Sequence, residues 1–273
     1  CRRVWLPTSD VHFARDGLGP FFNADSCQGC HINDGRGHLP SSNWPNDDAV
    51  SLVIALAIPP QNDMQKNQLE TFQLKSIPDP IYGSQLSDFA IEGVLPEGKI
   101  DIEYNYYPVV FDNGKVVNLS KPKFSISNLN YGELHSDIQI SARIAQPIIG
   151  LGLIEGISVS DILANADPND KNKDGISGKA STVKDEISNS IILGRFGWKA
   201  AQPSILQQTI DATYHDMGLS NTYSSRSNNC SEMQVACKSM VTGNSTEYDG
   251  VEVSNEQIDL MVFLVKIQQY YQP

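Results

Sequence analysis

Cys27-Gln28-Gly29-Cys30-His31 decides how the rest of the chain is read. Two cysteines separated by two residues and followed at once by a histidine form the attachment signature of a c-type haem. The chemistry sets the spacing. Two thiols add across the two vinyl groups on one porphyrin edge, and the adjacent histidine is delivered to one face of the iron as its axial ligand. With five Cys and five His among 273 residues, a chance match is expected about 0.002 times, so composition does not account for it. Cys27 and Cys30 are therefore the expected thioether positions of a haem c, and His31 the expected iron ligand. A zinc site needs two more ligands in a paired cluster, but Cys230 and Cys237 are separated by six residues with no histidine beside them. A thioredoxin-type pair needs a strand before it and a helix opening on the first cysteine, whereas Gly17–Ser26 reads as a turn and a short helical approach. A haem-free thiol redox protein using Cys27 and Cys30 stands as an alternative.

The wider composition narrows the class. The chain has 20 Lys+Arg against 32 Asp+Glu, a net charge of −12. That argues against a nucleic-acid binder, which needs a basic patch to displace counterions, and against docking on an anionic membrane. Hydrophobic residues make up 40%, enough to bury a core and to exclude disorder as the main state. The longest apolar run, Ala49–Pro60, is interrupted by Ser51 and is too short for a transmembrane segment, which takes about 20 residues. The opening Cys1-Arg2-Arg3-Val4-Trp5 lacks the h-region of a signal peptide. A terminal Cys1 invites a lipoprotein reading.

Pattern places these features on elements. Residues 1–47 read as loops and short helices around the haem motif. Ser51–Ile58 is β-branched and bounded by Pro59-Pro60, which predicts a buried strand. Ile100–Tyr104 alternates, and Val109-Val110-Phe111 meets Val116-Val117 across Asp112-Asn113-Gly114-Lys115, a hairpin signal. A β-rich insertion at about 95–130 is expected, ahead of a helical second half over 140–273. There, Ser160–Ala164 follows a cap and Pro203–Tyr214 ends at Gly218. Ser254-Asn255-Glu256-Gln257 is a capping box for a helix whose apolar face is Ile258, Met261, Val262 and Val265.

Several blocks resemble one family. Asp16–Gly37 around the C-x-x-C-H, Pro80–Ala90, Ile148–Glu155, Asp174–Gly178, Leu193–Ala200 and Asp216-Met217-Gly218 are similar, in order, to the bacterial di-haem oxidoreductase, putative peroxidase family. The family carries a second C-x-x-C-H, which this chain lacks. The resemblance implies the N-terminal and central part of a longer protein, read as a single haem domain over 1–273. The expected fold class is α+β: a cytochrome c-like, mainly helical haem domain with an inserted antiparallel β hairpin region. It implies electron transfer to peroxide or a similar small oxidant, with a redox partner protein or second haem domain as the electron source. Covalent haem attachment implies the periplasm or outer surface of a Gram-negative bacterium, where Cys230 and Cys237 are expected to form a disulfide. A non-catalytic electron-transfer cytochrome module is the other haem reading.

The remaining site residues follow from what a haem needs. Met217 and His135 are the candidate distal ligands, with an open iron as the third possibility; His38, His12 and His215 rank below them. Glu155, inside the apolar Gly150–Gly156 block, is the candidate catalytic acid/base that moves a proton between peroxide oxygens. Asp170-Lys171-Asn172-Lys173-Asp174-Gly175-Ile176 matches the front half of an EF-hand calcium loop. Asp170, Asn172 and Asp174 would supply side-chain oxygens and Ile176 its carbonyl. Position twelve is Ser181, so a closing carboxylate must come from Asp167, Asp185 or Glu186.

Overall fold

In the computed structural model, which describes residues 4–8, 16–40, 49, 51–224 and 229–267, the chain runs through β1 (Phe21–Phe22), α1 (Cys27–Cys30), β2 (Leu52–Ala57), α2 (Asp63–Glu70), β3 (Gln85–Leu86) and β4 (Phe89–Ala90). It continues through β5 (Lys99–Val110), β6 (Val116–Ser127), β7 (Gln139–Ile144), α3 (Leu151–Gly156) and α4 (Val159–Ala164). The last elements are β8 (Thr182–Asp185), β9 (Ser190–Leu193), α5 (Ile205–His215), α6 (Val235–Lys238) and α7 (Asn255–Ile267). Cys1 and His12 lie outside the described residues. No helix among the described residues is long and apolar enough to cross a membrane.

β2 is the centre of an antiparallel sheet ordered β3-β2-β7. Its side chains alternate across the pleat, so Leu52, Ile54 and Leu56 are buried while Val53, Ala55 and Ala57 are half-buried. The buried row packs with Tyr82, Leu86, Ile100 and Ile102 into one core. The other row is small. Across the register it sits opposite Arg143, Ser141 and Gln85: Val53 pairs with Arg143, and Ala55 with Ser141 on one side and Gln85 on the other.

β5 and β6 form the hairpin its turn residues predict, with Val110 opposite Val116 and Val109 opposite Val117. The Phe111 N–H donates to the Lys115 carbonyl at 2.9 Å, and Gly114 takes φ +79 in the turn. That bond fixes the parity of the ladder: odd-numbered residues of β5 and β6 bond each other, and even-numbered ones face outward. Pro108 and Pro122 both fall on outward positions. Neither costs a ladder bond, and each blunts one free edge of the two-stranded sheet.

A second core forms where α5 crosses α7, from Trp5, Leu18, Phe196, Ile205, Ile210, Met217, Leu219, Val253, Ile258 and Val262. α7 opens on a reciprocal box. The Ser254 N–H donates to Gln257 Oε1 at 2.9 Å, and the Gln257 N–H returns a bond to Ser254 Oγ at 3.2 Å. Cys230 and Cys237 are joined in a disulfide, with Cys237 buried against Phe21 and Val94.

The expected cytochrome c-like, mainly helical fold is not what forms. Among the described residues helix accounts for 24% and strand for 27%, in several antiparallel sheets. The region expected to be helical holds β7, β8 and β9 as well as α3 to α7. These strands are four to six residues long, too short for a period of two to outweigh a helical reading. The haem motif itself occupies a single four-residue turn, α1, and so says nothing about the helical content around it.

Candidate haem centre

Ser26 starts α1 by accepting the Gly29 N–H on its Oγ at 3.2 Å, an N-cap that fixes the turn. Cys27 and Cys30, three residues apart, fall on one face of that turn. His31 closes it, its N–H donating to the Cys27 carbonyl at 2.8 Å. The His31 ring is held by Nδ1, which lies 2.7 Å from the Gln146 carbonyl. A carbonyl can only accept, so Nδ1 carries the proton and Nε2 keeps its lone pair, the arrangement that orients metal-ligating histidines. Burial lowers the pKa of His31, partly offset by the carbonyls of Gln146 and Gly35, which keeps the ring neutral and able to donate to a metal. Gln28 clamps the following turn: its amide donates to Asp34 and accepts the Asn33 N–H at 3.0 Å.

The two cysteines differ. Cys27 is disulfide-bonded, whereas Cys30 is a free thiol. Burial first, and then the nearby carboxylates of Asp216 and Asp88, push the Cys30 thiol up to about 12. A thiol redox pair needs the opposite, a lowered pKa that supplies thiolate, so this environment speaks against haem-free thiol chemistry. The donor set fits a c-type haem, with one condition: the Cys27 sulfur reaches a vinyl group only after its disulfide is reduced.

Polar side chains that carry no pattern in the sequence tie this turn to the fold. Asn23 Nδ2 donates to the Leu86 carbonyl and to Asp88 Oδ1, both at 2.8 Å. Gln85 Nε2 bonds Asn23 Oδ1 at 2.9 Å and Asp216 Oδ1 at 2.7 Å. The N–H groups of Asn23 and Ala24 donate to the Asp216 carbonyl, and that of Gly19 to the Met217 carbonyl at 3.0 Å. Gly218, at φ +67, lies so close to Gly19 that a Cβ on Gly19 would sit 2.5 Å from the Gly218 Cα. Burial raises the pKa of Asp216 and pushes Asp88 up to about 6. Asn23, Gln85 and Asp88 stand inside the family-like blocks 16–37 and 80–90, but single polar residues in short strands and turns give no periodic signal that marks them as site residues.

A family model described as "Di-haem oxidoreductase, putative peroxidase" matches residues 7–268. The chain belongs to this di-haem oxidoreductase family. No curated protein and no solved structure matches it. Membership makes the chain a haem-binding, peroxidase-like oxidoreductase by family, and a single C-x-x-C-H is present in it.

The structure places the other candidate residues as follows. Met217 is buried in the α5–α7 core, and its backbone is pinned to Gly19, on the segment leading to α1. His135 sits in the turn before β7, bonded through its N–H to Asp79 Oδ2. Its Nδ1 accepts the Asp137 N–H at 3.1 Å, so its proton lies on Nε2. His38 and His215 are occupied at the surface, His38 near the Leu39 carbonyl and His215 beside Asp211. Glu155 accepts the Ile205 N–H at 2.9 Å, at the start of α5, and pairs with Lys266 at 2.8 Å.

In the Asp170 loop the side-chain oxygens turn onto the loop's own backbone. Asp170 accepts the N–H groups of Asp174 and Gly175, Asn172 Oδ1 accepts that of Asp174, and Asp174 Oδ1 accepts that of Ile176. Asp167 folds onto the loop through Lys171 and Asn172, while Asp185 bonds Ser188 and Glu186 pairs with Lys184. Among the described residues no group of three or more His, Cys, Asp or Glu side chains gathers as a metal site.

Proposed function

We propose that this chain binds a haem c through thioethers at Cys27 and Cys30 with His31 as iron ligand. It acts in the bacterial periplasm or on the outer surface, delivering electrons to peroxide or a similar small oxidant. The observation that carries the reading is the His31 ring at the end of the C-x-x-C turn, oriented by its Nδ1 bond to the Gln146 carbonyl and kept neutral by burial. The Cys230–Cys237 disulfide supports an oxidising compartment. The bound haem supplies one-electron chemistry and, where its distal face opens, a site for the oxidant. Electrons would come from a redox partner protein or a second haem domain.

The chain's own residues divide the remaining work. His31 donates through Nε2. Met217 is the distal residue the packing favours, since α5 and the Gly19–Gly218 contact hold it beside the segment that enters α1. His135 would first have to move its proton from Nε2 to Nδ1 and give up the Asp137 bond. Glu155 serves as a positioning residue, because it caps α5, the helix that delivers Met217. The buried Met217 also favours a second reading, a six-coordinate electron-transfer module. Binding of cyanide or peroxide to the oxidised protein marks a catalyst, and its absence marks a carrier. The Asp170 loop is proposed to take calcium, with Asp167 closing it in place of the missing carboxylate.

Mass spectrometry of protein matured in a periplasm tests the central claim. The chain should carry the mass of one haem through acid–acetone extraction, and the Cys27→Ser, Cys30→Ser double variant should carry none. A colourless wild type from a host with a working attachment system would overturn the reading.

A further inference from the structure

Arg143 presents a charge that the fold does not answer. Its Nε is buried without a hydrogen-bond partner, and burial lowers its pKa. No carboxylate among the described residues pairs with it, in a chain with 32 acidic residues against 20 basic ones. A buried guanidinium donor left unsatisfied costs free energy, so its position asks for an anion.

The register says where that anion would lie. Arg143 is opposite Val53, on the half-buried face of the β3-β2-β7 sheet. Alternation puts Val53, Ala55 and Ala57 of β2 on this face, with Ser141 and Gln85 beside them, and Ser51 stands just ahead of the strand at φ +66. Both ends of the face touch the haem turn's surroundings. Ser51 Oγ donates to the Cys30 carbonyl, and the Ala145 N–H donates to the Ser51 carbonyl, one residue before the Gln146 carbonyl that holds His31. Gln85 reaches Asp216, next to Met217. Arg143 is two residues along the strand from the Ser51 end, about 7 Å. Its neighbours across and along the sheet, Val53, Ser141 and Ala55, are small and half-buried.

We propose that this sheet face is the floor of the haem pocket and that Arg143 is the counter-charge for one haem propionate. The proposal rests on the haem reading above. A propionate carboxylate accepts two parallel bonds from a guanidinium, which satisfies Nε and one terminal nitrogen together. The pairing holds the propionate ionised, so the reduction potential of the haem does not respond to its protonation.

Two forms of the protein test it. In haem-free protein, Arg143→Met should melt at the same temperature as wild type or higher, because an unanswered buried donor is removed. In haem-loaded protein the same variant should melt lower than wild type. Its reduction potential should also become pH-dependent between about pH 5 and 8, where a propionate left unpaired and raised by burial titrates, while the wild-type potential stays level there. Arg143→Lys should restore part of the level profile. Equal destabilisation of both forms with unchanged potentials would make Arg143 an ordinary structural residue and overturn the proposal. Wild type without covalent haem by mass would overturn the haem reading and this assignment with it; haem present with an unaltered variant overturns the assignment alone.

Discussion

The haem turn and the Asp170 loop are both short motifs written in consecutive residues, yet they are held in opposite ways. The haem turn is fixed from far along the chain. His31 and Gln146 are 115 residues apart, Gln85 and Asp216 are 131 apart, and Ser51 and Cys30 are 21 apart. The Asp170 loop is fixed from within, by bonds between residues two to five apart. The first is half-buried and the second largely exposed. A motif held by distant groups has its geometry set before a ligand arrives; one that satisfies its own oxygens must exchange those bonds for a ligand. The haem turn is thus the preorganised site of the two.

The largest effect that would break this contrast is expected at Asn23. Asn23→Ala removes donors to Leu86 and Asp88 and the acceptor for Gln85. With each buried polar group left unsatisfied costing about 1–3 kcal/mol, the variant should lose about 3 kcal/mol in denaturant unfolding. Haem incorporation should fall with it. A loss below about 1 kcal/mol would show that the distant wiring does not hold the turn.

Calcium comes next. A ligand that binds only the native state stabilises it by about 2.7 kcal/mol at one hundred times its dissociation constant. Calcium should therefore raise the melting temperature, and Asp170→Ala or Asp174→Ala should abolish the shift with little change in chelator. Identical melting curves with calcium and with chelator would leave the loop as a self-bonded turn.

Asp88 sharpens the contrast through pH. Its pKa rises from the ordinary 3.8 to about 6, chiefly by burial. Because the folded state disfavours the ionised form, the contribution of Asp88 is whole below about 4 and is lost as pH rises through about 6. Asp88→Asn keeps an acceptor for Asn23 and removes that loss. The variant should gain on wild type by about 1–2 kcal/mol between pH 4 and 7, after allowance for partial exposure. A stability difference that does not change with pH would remove Asp88 as a titrating group.

The sequence was legible where one local rule decided the outcome. The Asp112–Lys115 turn placed Val110 opposite Val116, the Ser254–Gln257 box opened α7, and the β-branched run before Pro59 became β2. Helical content was misread where strands of two to six residues owe their existence to tertiary neighbours. At the site, the attachment motif was plain, but the groups that hold it were not. Gln85 and Arg143 take their places from the register of β2 with β3 and β7, and Asn23 from bonds to residues 62 to 65 positions away; no spacing along the chain encodes either.

Glu155 gives the smallest expected effect and decides between two roles. Its Oε1 receives the first N–H of α5 and its Oε2 pairs with Lys266, whose side chain is 43% exposed. Glu155→Gln keeps an acceptor for Ile205 but loses the ion pair and the favourable negative charge at a helix N-terminus, together about 1 kcal/mol. As a positioning residue, Glu155 then affects peroxide turnover by no more than about twofold, with haem content intact. A group that carries a proton between peroxide oxygens behaves differently, since removing a general acid/base costs about 100- to 10,000-fold. A fall of that size at unchanged melting temperature would move Glu155 from the α5 cap into the chemistry.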